Sequence, residues 1–382
     1  MKIVADNKIP FLKGVLEPYA EVVYLPGAKI AKSDLLDADG LIVRTRTKCK
    51  RDLLEGTNIK FVATATIGFD HIDGAYCDSK GISWTNAAGC NSSSVAQYIS
   101  STILNLAVEK KFRLSDMTIG IVGVGNVGSK VAKFAKSSGM KVLLNDPPRA
   151  RKEGEAGFVS LERIKAEADI ITFHVPLTMD GPDKTFHIAD ETFFSAMKRC
   201  NFFINSSRGE VVDTEALKKL LRSRSGISAV LDVWENEPNI DLEMLGLAKF
   251  ATPHIAGYST DGKANGTAMS VQALARFFGI SQLENWYPKD VPKPDISTIR
   301  IDCKGKTKEQ VLLEAVKFTY DVREDDQRLR SAPDTFEKLR ETYPLRREFP
   351  VYKIELANDA ADFAGILGKL GFEVNGANSR LS

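Results

Sequence analysis

Just past three short apolar runs lie an arginine, a glutamate and a histidine: Arg208 in INSSRGEVVD, Glu237 in LDVWENEP and His254 in TPHIAG. Taken singly, each has an ordinary explanation, as a surface ion-pair residue, a loop acid and a structural histidine. Taken as a set, they make a coherent chemistry. A guanidinium fork grips a carboxylate through two parallel hydrogen bonds. An imidazole that titrates near neutrality takes the proton of an adjacent hydroxyl. A carboxylate orients that imidazole and stabilises its charged form. The set suits oxidation of an acid that carries its hydroxyl on the neighbouring carbon, provided that a hydride acceptor is held beside it. His71 and His187, outside these motifs, read as structural.

The acceptor is indicated upstream, in IGIVGVGNVGSKVAKFAKSSGMKVLLND. An apolar strand, a glycine turn, an amphipathic helix and a second apolar strand ending at Asp146 make the unit that holds a dinucleotide. Gly123 permits the sharp turn, Gly125 lets the backbone approach a pyrophosphate, and Gly128 lets helix and strand pack closely. The helix then points free N–H groups and its positive dipole end at the phosphates. Asp146 lies where a carboxylate takes the ribose hydroxyls of NAD and repels a 2'-phosphate. Arg149 could accept that phosphate, but Pro147 and Pro148 stiffen the turn and aim it elsewhere. With nicotinamide taking the hydride, the chemistry needs no metal.

These residues require a frame, and the strand pattern supplies one. Residues 1 to about 90 alternate short apolar strands (KIVAD, EVVYL, GLIVR, KFVATA, GISWTN) with helices or turns at 9–19, 32–37 and 50–55. Such alternation predicts a parallel sheet with crossovers. A long helix over about 92–111 leads into the glycine turn, after which KVLLND, DIITFHVP, NFFINSS, AVLDV and FATPH continue a second sheet. The helical ANGTAMSVQALARFF returns the chain to the first domain. The expected architecture is α/β, with two doubly wound parallel-sheet domains. A flavodoxin-like substrate-binding domain spans 1–92 and 256–285, and a Rossmann NAD-binding domain, 93–255, is inserted in it.

Beyond the proline-rich WYPKDVPKPD, residues 286–382 are expected to form a third domain, of α+β type. TIRIDCK, VYKIELA and FEVNG read as strands; KEQVLLEAVKFTYDVREDDQRLR, FEKLRETY and DAADFAGILGKLG read as helices. Val311, Leu312, Ala315, Val316 and Phe318 make an apolar face. That face is expected to build a two-fold homodimer, with packing inside its own domain as the alternative.

The bulk numbers exclude other classes. A formal charge of +2 over 382 residues gives no reason to expect nucleic acid or an anionic membrane as partner. No apolar run approaches the length of a membrane span, and MKIVADNKIP reads as a strand and turn, not a signal peptide. Cys49, Cys77, Cys90, Cys200 and Cys303 are dispersed, without CxxC or paired spacing. They are expected to be reduced thiols of a cytoplasmic protein and to bind no metal.

Across residues 1–285 the chain resembles the D-isomer-specific 2-hydroxyacid dehydrogenases. The matching residues are GVGNVG with Asp146, HVPLT at 174–178, NSSRG at 205–209, DVWENEP at 232–238 and TPHIAG at 252–257. The resemblance implies that Arg208, Glu237 and His254 are catalytic and that His174 lines the cofactor pocket. It implies NAD contacts at Asn126, Val127, Asp146, Val175, Ser206, Ser207, Asp232 and Gly257, and substrate contacts at Thr45, Thr66 and Tyr258. Arg44, Arg46 and Lys48 cluster at a strand end, where the period of two puts Arg44 and Arg46 on one face. Such a cluster suits a phosphate on the far end of a small hydroxy acid; otherwise it is a basic surface loop. The resemblance also makes Arg346 and Arg347 candidates to reach a neighbouring subunit's site. The alternatives are another dehydrogenase of phosphorylated 2-hydroxy acids, or an NAD-sensing corepressor on the same fold.

Overall fold

The computed structural model describes residues 1–358 and 361–375. The chain divides into two compact units, Met1–Asn91 with Ser259–Pro292, and Ser92–Tyr258 with the chain from Lys293 onward.

In the first unit β1 (Lys2–Asp6), β2 (Glu21–Leu25), β3 (Gly40–Val43), β4 (Phe61–Thr64) and β5 (Ser83–Asn86) form an all-parallel sheet. Its order, β2-β1-β3-β4-β5, is the flavodoxin-like one. The central strands are apolar throughout because both faces are covered. Ile3, Ala5, Ile42 and Ala63 pack with Val271, Leu274 and Ala275 of the Thr260–Phe278 helix. Val4, Leu41, Val43 and Val62 pack on the other side with Leu35, Leu54 and Cys77. The stretch 9–19, where a helix or turns were expected, is a run of turns interrupted by Pro10, Gly14 and Pro18, and it is pinned by the buried Leu12 and Leu16.

The second unit holds β6 (Thr118–Val122), β7 (Lys141–Asn145), β8 (Ile170–Phe173), β9 (Phe202–Asn205), β10 (Ser228–Leu231) and β11 (Phe250–Ala251). They form a parallel sheet in the order β11-β10-β9-β8-β6-β7. Past β7 the sheet edge carries Val159, whose N–H donates to Leu144 O at 2.7 Å and whose carbonyl accepts from Asn145 Nδ2 at 2.7 Å. The chain runs outward from β6 to β7, then crosses back to β8. Strand order therefore reverses between β6 and β8, the place where open α/β sheets bind their ligands.

The C-terminal segment corrects two expectations. β12 (Thr298–Asp302), β13 (Lys353–Ala357) and β14 (Glu373–Asn375) form a wholly parallel sheet, with helices in both crossovers, so the segment is α/β and not α+β. Nor does it stand apart as a third compact body. Val311, Leu312, Ala315 and Val316 on the Lys308–Thr319 helix are fully buried in one core with Ile99 and Ile103 of the Ser92–Lys110 helix and Val131 and Ala135 of the Asn126–Ser137 helix. The apolar face offered to a partner is thus covered within the chain. Phe318 packs at its margin against Tyr352, ring centroids 5.7 Å apart. Polar ties sit inside this contact: Gln97 Nε2 donates to Thr319 Oγ1 at 3.0 Å, and Glu309 Oε1 accepts from Leu114 N at 3.0 Å. The long helix expected over KEQVLLEAVKFTYDVREDDQRLR breaks at Tyr320, and Asp321 caps the second piece, Val322–Ser331.

Candidate active site

The glycine turn follows β6. Gly123 has a left-handed φ of 87°, and a Cβ there would fall 2.6 Å from the His174 carbonyl oxygen and 2.8 Å from Val175 Cγ1. The loops after β6 and β8 therefore touch at the reversal point. A Cβ on Gly128 would stand 2.0 Å from the Gly123 carbonyl oxygen, so only glycine lets the helix come this close. Gly125 differs. It caps the Asn126–Ser137 helix, and nothing lies within 4 Å of where its Cβ would be. Its surroundings form a cradle that a Cβ would fill, faced by the N–H groups of Asn126 and Val127, as a pyrophosphate requires.

Asp146, after β7, is locked beside this turn. Its Oδ2 accepts from Val124 N at 2.8 Å and its Oδ1 from Arg149 N at 3.0 Å. Arg149 is turned onto the Val124 carbonyl and onto Glu153, with Nη2–Oε2 at 2.7 Å, so its charge is already matched. Val175 follows β8. Ser206 and Ser207 follow β9, where Ser207 bonds Asn205 Oδ1 through its N–H (3.1 Å) and Oγ (2.8 Å). Ser206 Oγ and His174 Nδ1 are buried without a protein partner, two polar atoms with capacity left for a ligand. Burial lowers the His174 imidazole to about 3, which keeps the ring neutral.

Arg208, Glu237 and His254 sit on the loops after β9, β10 and β11, which are neighbours in the sheet. A Cβ on Gly209 would stand 2.0 Å from the Trp234 carbonyl carbon, so this glycine lets the arginine loop lie directly against the backbone that leads to Glu237. Arg208 Nη1 donates to the Ser207 carbonyl at 2.8 Å. His254 Nδ1 lies 2.5 Å from Glu237 Oε1. Burial opposes ionisation of Glu237. The His254 hydrogen bond and charge, with the Arg340 guanidinium, nevertheless hold its carboxyl below the usual range.

His254 has a left-handed φ of 55°, a conformation that persists only where its surroundings impose it. Here they do. The His254 N–H donates to the Asp232 carbonyl at 2.7 Å. The Asp232 carboxylate accepts from Thr252 Oγ1 (2.6 Å), Ile255 N (2.8 Å) and Ala256 N (3.0 Å). Trp234 Nε1 donates to the Thr252 carbonyl at 2.9 Å, and the Tyr98 hydroxyl lies 3.0 Å from Thr252 Oγ1. Burial pushes the Asp232 carboxyl up. Asp232, expected as a cofactor contact beside Gly257, organises the loop that carries His254.

Arg346 completes the hold and corrects an expectation. It is 4% exposed and turned inward, onto groups of its own chain. Its guanidinium donates to Ser94 O (2.7 Å), Gln97 Oε1 (2.9 Å), Ile255 O and Ala256 O (both 3.3 Å), and stacks 3.7 Å from the Tyr320 centroid. Arg347 is buried as well, and its carbonyl accepts from Gln97 Nε2 at 3.0 Å. Sequence reasoning missed Tyr98, Arg340 and the inward role of Arg346. An amphipathic FEKLRETY and a basic PLRRE carry no signal for an arginine that turns under a loop some 80 to 90 positions earlier.

On the first unit, β3 ends at Val43, and Thr47 N donates to Arg44 O at 3.2 Å in a turn. The period of two therefore does not apply to Arg44 and Arg46. Arg44 Nε donates to the buried Asp6 Oδ2 at 3.1 Å, while Thr45, Arg46 and Lys48 are exposed. Thr66 Oγ1 donates to Gly68 O at 2.9 Å. Burial and the charge of Arg44 lower the ammonium of Lys263, so cations gather at this end of the unit. His71, buried with Nε2 3.0 Å from Thr64 Oγ1, is lowered to about 4 by burial and is structural; His187 pairs with Glu235 Oε1 at 2.6 Å. All five cysteines are free and buried, and among the described residues no group of His, Cys, Asp and Glu could hold a metal.

Residues 96–256 match the family described as D-isomer specific 2-hydroxyacid dehydrogenase, NAD binding domain, and 291–371 match a domain of unknown function, DUF3410. Erythronate-4-phosphate dehydrogenase of Bacteroides fragilis (strain YCH46) is 52% identical over 355 residues, 93% of this chain and 99% of that protein. The chain belongs to the erythronate-4-phosphate dehydrogenase family. Its residues 96–256 are an NAD-binding domain of the 2-hydroxyacid dehydrogenase kind. Among solved structures, NAD+-bound 3-phosphoglycerate dehydrogenase of Entamoeba histolytica matches with a TM-score of 0.62 at 27% identity, covering 75% of this chain and 97% of that one. D-Lactate dehydrogenase of Aquifex aeolicus, complexed with NAD and lactic acid, matches with a TM-score of 0.58 at 27% identity, covering 77% and 100%. No helix of the described residues is long and apolar enough to cross a membrane.

Proposed function

We propose that the protein oxidises 4-phospho-D-erythronate to 2-oxo-3-hydroxy-4-phosphobutanoate with NAD, a step toward pyridoxal 5'-phosphate. The observation that carries this reading is the 2.5 Å contact between His254 Nδ1 and Glu237 Oε1 on a sheet whose reversal point holds the glycine cradle. When bound, NAD supplies the hydride acceptor. Arg208 grips the substrate carboxylate and the oxygen on C2. The His254 ring, oriented through Nδ1 by Glu237, takes the C2 hydroxyl proton at Nε2 in oxidation and returns it in reduction. The N–H groups of Asn126 and Val127 hold the pyrophosphate and Asp146 the ribose, while Val175, Ser206, Ser207, Asp232 and Gly257 line the nicotinamide side. Thr45, Thr66 and Tyr258 are the proposed substrate contacts, and Arg44 and Arg46, with Lys48, the proposed phosphate contacts.

The structural likeness to 3-phosphoglycerate dehydrogenase favours one second reading, oxidation of D-3-phosphoglycerate. Assaying the two phosphorylated acids side by side with NAD separates them. A kcat/KM at least about tenfold higher for 4-phospho-D-erythronate is expected, a difference of ~1.4 kcal/mol in transition-state binding. Equal or reversed values would overturn the substrate assignment, and no turnover of any 2-hydroxy acid would leave an NAD-sensing corepressor. Five free, buried thiols support a reducing cytoplasm. A homodimer through the C-terminal segment belongs to the same reading, supported by the exposed Ile296 and Leu345; a full-length protein that scatters light as a monomer would remove it.

A further inference from the structure

One cation beside the acid–base pair has no part in the chemistry above. Arg340 lies on the Phe336–Glu341 helix of the C-terminal segment. Its guanidinium stands 5.5 Å from the Tyr258 centroid and 5.9 Å from the Phe336 centroid. Nη1 donates to Glu337 Oε1 at 3.0 Å, whereas Nε is buried and unpaired. Glu237 mirrors this: Oε1 is 2.5 Å from His254, and Oε2 is buried and unpaired. A buried guanidinium N–H and a buried carboxylate oxygen are complementary, and each is costly to leave alone. Tyr258, between the catalytic loop and the segment, also meets Tyr343 edge to face, with centroids 5.8 Å apart.

We propose that Arg340 is a positioning residue of the acid–base pair. Its guanidinium, held over the Tyr258 ring, is a through-space counter-charge to the Glu237 carboxylate, to which it makes no direct hydrogen bond, and favours the ionised form that orients His254. The inference rests on the catalytic assignment of His254 and Glu237. A helix-surface pair with Glu337 alone would not require the guanidinium to lie under Tyr258. The charges around it are consistent. Against the burial that opposes its charge, Arg340 is raised by Tyr258, Glu237, Glu337 and Asp232, and Glu237 is lowered by the hydrogen bond and charge of His254, by the charge of Arg340 and by the Trp234 backbone.

The test compares Arg340→Met, which removes the charge and keeps most of the stem, with Arg340→Lys, which keeps the charge. Titration of the Glu237 carboxyl is followed by carbon-13 NMR and assigned by its disappearance in Glu237→Gln. In Arg340→Met it should move up by about half a unit to one unit, the size of one screened charge at this range. The acidic limb of kcat/KM should move with it. kcat should fall about tenfold while the Kd of NADH stays within about twofold, because the loss falls on proton transfer and not on cofactor binding. Arg340→Lys should restore the titration. An unmoved titration in Arg340→Met, or a lysine variant that behaves like the methionine one, overturns the proposal. Arg340→Gln gives the same reading if the methionine variant does not fold. The titration needs no substrate, so a wrong choice of phosphorylated acid would show in the kinetics and leave the charge coupling measurable.

Discussion

Two glycines three residues apart should separate binding from folding. At Gly125 the φ of −73° suits any residue, and an added Cβ meets no protein atom within 4 Å. Gly125→Ala should therefore leave thermal stability nearly unchanged. The methyl instead occupies the cradle and pushes a pyrophosphate off the N–H groups of the first turn. Weakening one charge-assisted hydrogen bond there costs about 1.5–3 kcal/mol, so the Kd of NAD should rise roughly ten- to hundredfold. At Gly128 the added Cβ starts 2.0 Å from the Gly123 carbonyl oxygen, and ordinary contact begins at 3.4 Å, so helix and turn must part by about 1.4 Å. Overpacking of this kind costs roughly 1–3 kcal/mol, and the better helix propensity of alanine returns up to about 1 kcal/mol. The net loss should lower Tm by about 3–6 °C. Calorimetry and NADH fluorescence titration on both variants provide the assay. If Gly125→Ala binds NAD as the wild type does, the cradle does not hold the pyrophosphate. If Gly128→Ala is as stable as the wild type, the close approach is not a constraint.

His254→Asn should keep cofactor affinity and lose turnover by about 10²–10⁴-fold, and activity within a few-fold of wild type would refute its acid–base role. The carboxylate of Asp146 should repel a 2'-phosphate, so kcat/KM with NAD should exceed that with NADP by about a hundredfold or more, and equal values would mean that Asp146 does not read the ribose. Buried His71 is held neutral down to about pH 4, whereas an unfolded imidazole protonates near 6.5. Its folded value is depressed, so the unfolded state binds more protons between these limits and stability falls as the pH drops through that window. At pH 5 this amounts to about 2 kcal/mol, and denaturant melts of His71→Gln should lack that part of the acid slope.

What the sequence disclosed was local. The glycine turn, Asp146 and the loops of Arg208, Glu237 and His254 are short motifs whose spacing reflects contacts within a strand–turn–helix unit, and the structure places Glu237 and His254 in contact. The apolar runs named the strands because parallel sheets bury both faces. Non-local pairing was not legible. WYPKDVPKPD has the composition of a domain linker, yet the Lys308–Thr319 helix beyond it joins the core of the unit that precedes it. An amphipathic face announces that it will be buried and not against what. Arg346 was a candidate to reach a neighbouring subunit, and its place among four carbonyl oxygens depends on Ser94, Gln97, Ile255 and Ala256, all far upstream. The basic cluster at Arg44 was misjudged in geometry for a simpler reason: the strand stops one residue earlier than its pattern suggested.

The hold of Arg346 on the carbonyls of Ile255 and Ala256 sets an order of events during synthesis. Ribosomes deliver the N-terminal part first, and domains generally fold as they emerge. When residue 292 leaves the exit tunnel, every group proposed for the chemistry exists, but the roof over the Ser92–Lys110 and Asn126–Ser137 helices does not. Neither does the guanidinium that steadies the catalytic loop. For the seconds until the chain from residue 293 onward follows, the nascent unit presents a sticky wall and an unsteadied histidine. Chains released before residue 293 should therefore be inert and prone to capture by chaperones.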